Sequence, residues 1–171
     1  MGKPPPRPPG AVRKPSAAEL RLGNLRRELD AEDDPATRSA ILYHMGLVYE
    51  HELRQSNEAL DSYREARRHG TGFDPAGIAE LRIQERTADA RTVASLLEEL
   101  ARDARHPAAR GAALVDLALR SSEWASILRD ALEQSPEPSV PALLLEWLAD
   151  RNGDHDALRD ALRAQAEAAS E

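Results

Sequence analysis

Cysteine is absent from all 171 residues, which excludes disulfides, thiolate chemistry and cysteine-based zinc sites and fits a reducing compartment. Aromatic residues make up only 4%, so a core has to be built mostly from leucine and alanine. β-Branched residues are sparse, which argues against a sheet. No run approaches the roughly 18 apolar residues that a membrane span needs. The positive charge at the N-terminus leads into no apolar stretch, so the start does not read as a secretory signal. The expected location is the cytoplasm, with no membrane insertion.

Alanine, leucine, arginine and glutamate dominate, and these are the strongest helix formers. Hydrophobic residues are 41% of the chain, ordinary for a globular fold. The net charge of −7 is unevenly split. Residues 1–16 hold Lys3, Arg7, Arg13 and Lys14 with no acid, which leaves −11 on the remainder. An acidic body is a poor nucleic-acid binder, because neutralising phosphates dominates that affinity. Arginine outnumbers lysine 21 to 2, which suggests a GC-rich bacterial genome.

Residues 1–15, MGKPPPRPPGAVRKP, carry six of the twelve prolines and read as a disordered or polyproline-II basic tail. Beyond it every long segment reads as an amphipathic helix. Ser16 with Glu19 forms a capping box, and Leu20, Leu22, Leu25 and Leu29 give the helix that follows an apolar side. Pro35, Pro75, Pro107 and Pro138 are then spaced by 40, 32 and 31 residues. Proline suits the first helical turn, where its missing N–H costs nothing, and Asp34 and Asp74 before the first two are good caps. Each proline therefore opens a helix. Each helix meets a polar break (RQS 54–56, TAD 87–89, RSSE 120–123, RNGD 151–154) and then a second helix.

Internal repeats support four such hairpins. PATRSAIL (35–42) and PAARGAAL (107–114) share Pro, Ala, Arg, Ala and Leu at the same offsets. LRDAL recurs at 128–132 and 158–162, and VASLL (93–97) resembles WASIL (124–128). Repeats of this length mean stacked supersecondary units, each burying its apolar face on its neighbours. The expected layout is a tail over 1–15 and a repeat domain over 16–171, with hairpins at about 35–69, 75–105, 107–135 and 138–169. Gly46 marks a close helix crossing, since glycine in a helix costs about 1 kcal/mol against alanine. Trp147, between Leu145 and Leu148, is expected in the core, and Trp124 between hairpins.

Residues 42–66, LYHMGLVYEHELRQSNEALDSYREA, resemble a tetratricopeptide repeat. Leu42, Met45-Gly46 and Tyr49 stand where that family's first helix has its large apolar residue, Leu-Gly and Tyr. Ala59, Tyr63 and Ala66 stand where its second has Ala, an aromatic and Ala. The turn between them is one residue longer than usual for the family. The resemblance is clearest over 35–69; later units degenerate, and HPAARGAALVDLAL with ILRDAL also resembles short HEAT-like repeats. The resemblance implies an all-α, right-handed α–α superhelix (solenoid) of about four helical hairpins plus one N-terminal helix.

No catalytic or metal site emerges. His51-Glu52-Leu53-Arg54-Gln55 misses HExxH at its last position, where Gln55 stands, so the zinc-protease reading fails. His44 and His51 share a helix side and read as surface residues. The expectation is a non-enzymatic protein with no cofactor, an interaction scaffold whose partner is another protein. The resemblance places the groove on the first helices and assigns partner binding to Tyr43, Leu47, Glu50 and His51. The family's carboxylate-gripping Lys, Arg and Asn set is not present there, which argues against carboxylate capture, and a Tyr/Leu surface with an acidic rim makes a helical or basic peptide the expected partner. The alternative is a self-assembling module or the N-terminal part of a longer solenoid, because the Ala-rich ending offers no separate capping helix.

Overall fold

A computed structural model describes residues 14–70, 75–135 and 138–170. The proline-rich segment up to Arg13, the Asp74 cap and Glu137 lie outside the described residues. Helices α1 (Ala17–Ala31) and α2 (Pro35–Leu47) are followed by α3 (Ser56–His69), α4 (Pro75–Thr87), α5 (Ala90–Asp103), α6 (Pro107–Ala118), α7 (Trp124–Gln134), α8 (Ser139–Asn152) and α9 (His155–Ala168). No strand occurs among the described residues. The principal backbone contacts join helices adjacent in sequence, with α7 and α9 also close. An array in which each unit touches its neighbours is an α-solenoid. Pairs α2–α3, α4–α5, α6–α7 and α8–α9 are the four hairpins, with α1 laid on the first.

Local chemistry sets most helix starts. Ser16 and Glu19 bond reciprocally. The carboxylates of Asp34, Asp89 and Asp154 each accept the backbone N–H three residues on. Pro35 and Pro107 occupy the first turns of α2 and α6. Pro138 differs from expectation: it is the residue before α8, and Ser139 begins the helix. On α1 the buried side runs through Ala18 and Leu22 to the half-buried Leu25 and Leu29. Leu20 therefore faces solvent, because it lies two residues out of phase with that stripe.

The shared opening of PATRSAIL and PAARGAAL has a specific cause. Its fourth residue does the same work in both places. Arg38 donates to the carbonyls of Leu29 and Glu32 at the end of α1. Arg110 donates to those of Ala101 and Ala104 at the end of α5. Each arginine adds a charged donor to carbonyls in the last turn of the preceding helix and complements its dipole. The fifth residue meets the end of its own hairpin's second helix, so it must be small. Ser39, fully buried, donates to the Ala66 carbonyl. At Gly111 a Cβ would lie 3.1 Å from Ser135 Oγ.

Helix α2 runs on as a π-helical segment, Val48–Leu53, closed by Arg54 in a left-handed conformation at φ 59°. A π turn holds an extra residue. The long turn read in the sequence is thus partly wound into the helix end. Val48, Tyr49 and Glu50 are buried in succession. Segments pack on both sides of them: α1, whose Arg26 donates to Tyr49 Oη at 2.7 Å, and α3.

Two main cores result. One spans α1 to α4 around Tyr63, Leu42, Met45 and Ile83. The other joins α6 to α9 around Leu128, Leu145, Ala149, Ala157 and Ala161, with Trp124 half-buried against it. The repeated LRDAL motifs keep equivalent roles at Ala131 and Ala161, both fully buried. A Cβ on Gly46 would overlap three atoms of the Tyr63 ring, so the hairpin α2–α3 crosses as closely as the glycine suggested.

Candidate interaction surface

The first helices of the hairpins are α2, α4, α6 and α8. On α2 the structure places Tyr43 and Leu47 half-buried at the edge of the first core. The Tyr43 ring lies 5.7 Å from that of Tyr63, tilted by 41°. His51 is exposed, its Nε2 3.8 Å from the Glu50 carboxylate. Glu50 itself turns inward and is 8% exposed. It accepts hydrogen bonds from Tyr63 Oη at 2.9 Å, Arg82 at 2.7 Å and Arg86 at 3.1 Å. Tyr43 and Leu47 therefore lie at the edge of the first core and His51 in solvent, while Glu50 ties the end of α2 to α3 and α4.

Burial by itself would raise the Glu50 pKa. The hydrogen bonds from Arg82 and Tyr63, with the charge of Arg82, outweigh it and hold the carboxyl below its ordinary 4.5. The same bond works in the other direction on Tyr63, whose phenol is pushed well above its ordinary value by burial first and by Glu50 second. A second carboxylate repeats the arrangement in reverse. Glu80 on α4, 3% exposed, accepts from Arg64 at 2.9 Å and Arg67 at 2.8 Å, both on α3, and from its own helix neighbour Gln84. A polar cleft of about 450 Å³ between α3, α4 and α5 is lined by these arginines. Their charge is met internally, since Arg67 also reaches Glu99 and Arg68 pairs with Glu65.

Sequence reasoning missed the most exposed apolar side chains of the first helices: Ile78 on α4, Leu119 just past α6, and Val140, Leu143 and Trp147 on α8. Two clefts flank α6. One, about 230 Å³, is bordered by Ile78, Leu81, Leu100 and Ala109. The other, about 650 Å³, is bordered by Val115, Leu119, Val140 and Pro141. Both share Ala112 and Asp116 on α6. At their rim Arg120 joins Glu85 of α4 at 2.5 Å and Asp116 at 3.2 Å.

Trp147 overturns its expected place in the core: it is 53% exposed. Helix α8 buries Pro141, Ala142, Leu145 and Ala149, and Trp147 stands two residues from the nearest of these, on the far side. Its ring carries the Arg151 guanidinium 5.2 Å from the centroid, a cation–π contact. A signal was present in LVDLAL and VPALLLEWL, which hold more apolar residues than one buried face can use.

Among the described residues no three His, Asp or Glu side chains gather to hold a metal ion, and no helix is long and apolar enough to cross a membrane. No protein-family model and no curated protein matches the chain. Among solved structures it is similar to one described as "MamA RS-1 ArsTM double mutant", at 16% identity, covering 88% of this chain and 84% of that one with a TM-score of 0.48.

Proposed function

We propose that this protein is a non-catalytic interaction scaffold that receives a helical segment of another protein across its first helices. The observation that carries this reading is the pair of apolar clefts on either side of α6, of about 230 and 650 Å³, meeting at Ala112 and Asp116. Exposed apolar surface grouped in this way marks interaction sites in soluble proteins, and a helix laid in a groove anchors through apolar residues one turn apart. Tyr43, Leu47 and His51 extend the surface along α2. Glu50 supports it from behind, as a buried tie and not as a contact.

In this reading the hairpin α2–α3 is a tetratricopeptide unit. Its support is that Leu42, Met45, Gly46, Tyr49, Ala59, Tyr63 and Ala66 are all buried together. The repeat domain spans 16–171, and it works in the cytoplasm, as a cysteine-free composition suits.

A photo-crosslinking side chain placed at Leu119 is expected to capture a discrete partner in cells. The same probe at Leu20, exposed on α1, should not capture it. Adding Val115→Glu should abolish capture, and Tyr43→Ala with Leu47→Glu should weaken it, with helical content unchanged. Equal capture from both probe positions, or capture indifferent to Val115→Glu, would reject the groove.

A further inference from the structure

The stretch Ser139–Leu145 contains no charge, in a chain of which 31% of residues are charged. Helix α8 uses one side of that stretch for the core and turns Val140, Leu143 and Trp147 outward, each more than half exposed. They stand at i, i+3 and i+7, one face of a helix. Leu119, equally exposed, prolongs the stripe across the cleft it shares with Val140. With tryptophan at about 150–250 Å² and the three aliphatic side chains smaller, the four, each a little over half exposed, present on the order of 300 Å² of apolar surface. A standard interface buries about 800 Å² per partner, a little over half of it apolar. The stripe supplies the larger share of the apolar part of such an interface.

We propose that this stripe is where two copies of the chain pair, α8 against α8 of the second copy, antiparallel across a two-fold axis. A two-fold contact must be complementary to itself. The stripe meets that condition about Leu143 and Leu144: antiparallel pairing sets each Trp147 beside the other copy's Val140, large against small. It also keeps Asp150 and Arg151, which lie beyond Trp147, at opposite ends, whereas parallel pairing would set like charge on like. Charge selects the occupant too. Two chains of net charge −7 repel over most of their surfaces, and Ser139–Leu145 is where that repulsion is least. A basic partner, by contrast, finds no carboxylate between those residues to bind. Leu119 and Val140 also border the larger cleft beside α6, whereas Leu143 and Trp147 line neither cleft, so variants at Leu143 and Trp147 test pairing without altering the lining of the proposed groove.

The test is light scattering behind size exclusion on the full chain across a wide concentration range. The mass is expected to climb from 18.8 kDa towards twice that value. Leu143→Glu should hold it at the monomer at every concentration with helical circular dichroism intact, and Trp147→Gln should do the same if the first variant folds poorly. In a Trp124→Phe background, where Trp147 is the sole tryptophan, emission should shift to the blue as the mass rises. A wild-type mass of 18.8 kDa throughout overturns the proposal. So does a dimer that survives both variants. A monomer whose Trp147 emission shifts only on addition of an amphipathic helical peptide assigns the face to another protein's helix and likewise overturns pairing.

Discussion

The two ends of the array are held together differently. Hairpins α2–α3 and α4–α5 are bound by two buried carboxylates, Glu50 and Glu80, each gripped by two arginines from a neighbouring helix. Tyr63, fully buried, donates to Glu50. Hairpins α6–α7 and α8–α9 rely on leucine and alanine, and the ion pair between them, Arg129 with Asp160, has both side chains 38% exposed. Apolar residues left over at this end stand in solvent as Leu119, Val140, Leu143 and Trp147. Buried ion pairs demand one geometry, because a carboxylate out of place loses its partners while still out of water. Leucine–alanine contacts are less exacting. The array therefore combines a geometrically specified N-terminal end with a C-terminal end that has apolar surface to offer.

The largest effect should come from removing one of the buried acids. Glu80→Ala takes the nearest carboxylate from Arg67, a largely buried cation that keeps only the longer pairs to Glu99 and Asp103, and is expected to cost about 3 kcal/mol, whereas Asp160→Asn at the other end should cost less than about 1 kcal/mol. Urea unfolding of both variants measures the contrast, and equal costs would erase it. Next comes Gly46→Ala. Its new methyl meets the buried Tyr63 ring, and overpacking should destabilise by about 2 kcal/mol despite alanine's better helix propensity. Tyr63→Leu in the same chain should recover part of the loss.

Arg38→Ala and Arg110→Ala test what the two ends share. Each removes two charge-assisted bonds to helix-end carbonyls, so each should cost about 1–2 kcal/mol. A loss confined to one of them would mean that the repeated opening is not one device. The smallest effect depends on pH. The folded chain holds Glu50 below 4.5, so the unfolded chain takes up that proton first as pH falls. The carboxylate's contribution is complete above about pH 4.5 and is lost as pH drops through the lower folded value. The gap in urea midpoint between wild type and Glu50→Gln should shrink steadily from pH 5 to pH 3. A constant gap would show that Glu50 is not the ionised tie described.

Pro35, Pro75 and Pro107, the Asp34 and Asp154 caps, the Ser16–Glu19 box and the small residue at Gly46 were legible because each acts on its own helix or hairpin within a few residues. Tyr43, Leu47, Glu50 and His51 were expected in a groove from the resemblance to a tetratricopeptide repeat. Glu50 looked like a rim residue for the same reason, and nothing nearby in sequence announced that Arg82 and Arg86, 32 and 36 residues on, would reach it. Trp147 failed in the opposite direction: a large ring flanked by leucines reads as core, but α8 has apolar residues on both sides and only one side can face α9.

The sequence by itself determined the secondary structure and the repeat. Turn chemistry, capping and hydrophobic spacing are local, and they specify where helices begin, where they stop and that they pair. Tertiary structure decided which charges are internal, which side of α8 is left to solvent, and that the end of α2 widens into a π turn. Those outcomes depend on the angle at which one hairpin meets the next. That angle is set by many small contacts summed over residues far apart in the chain.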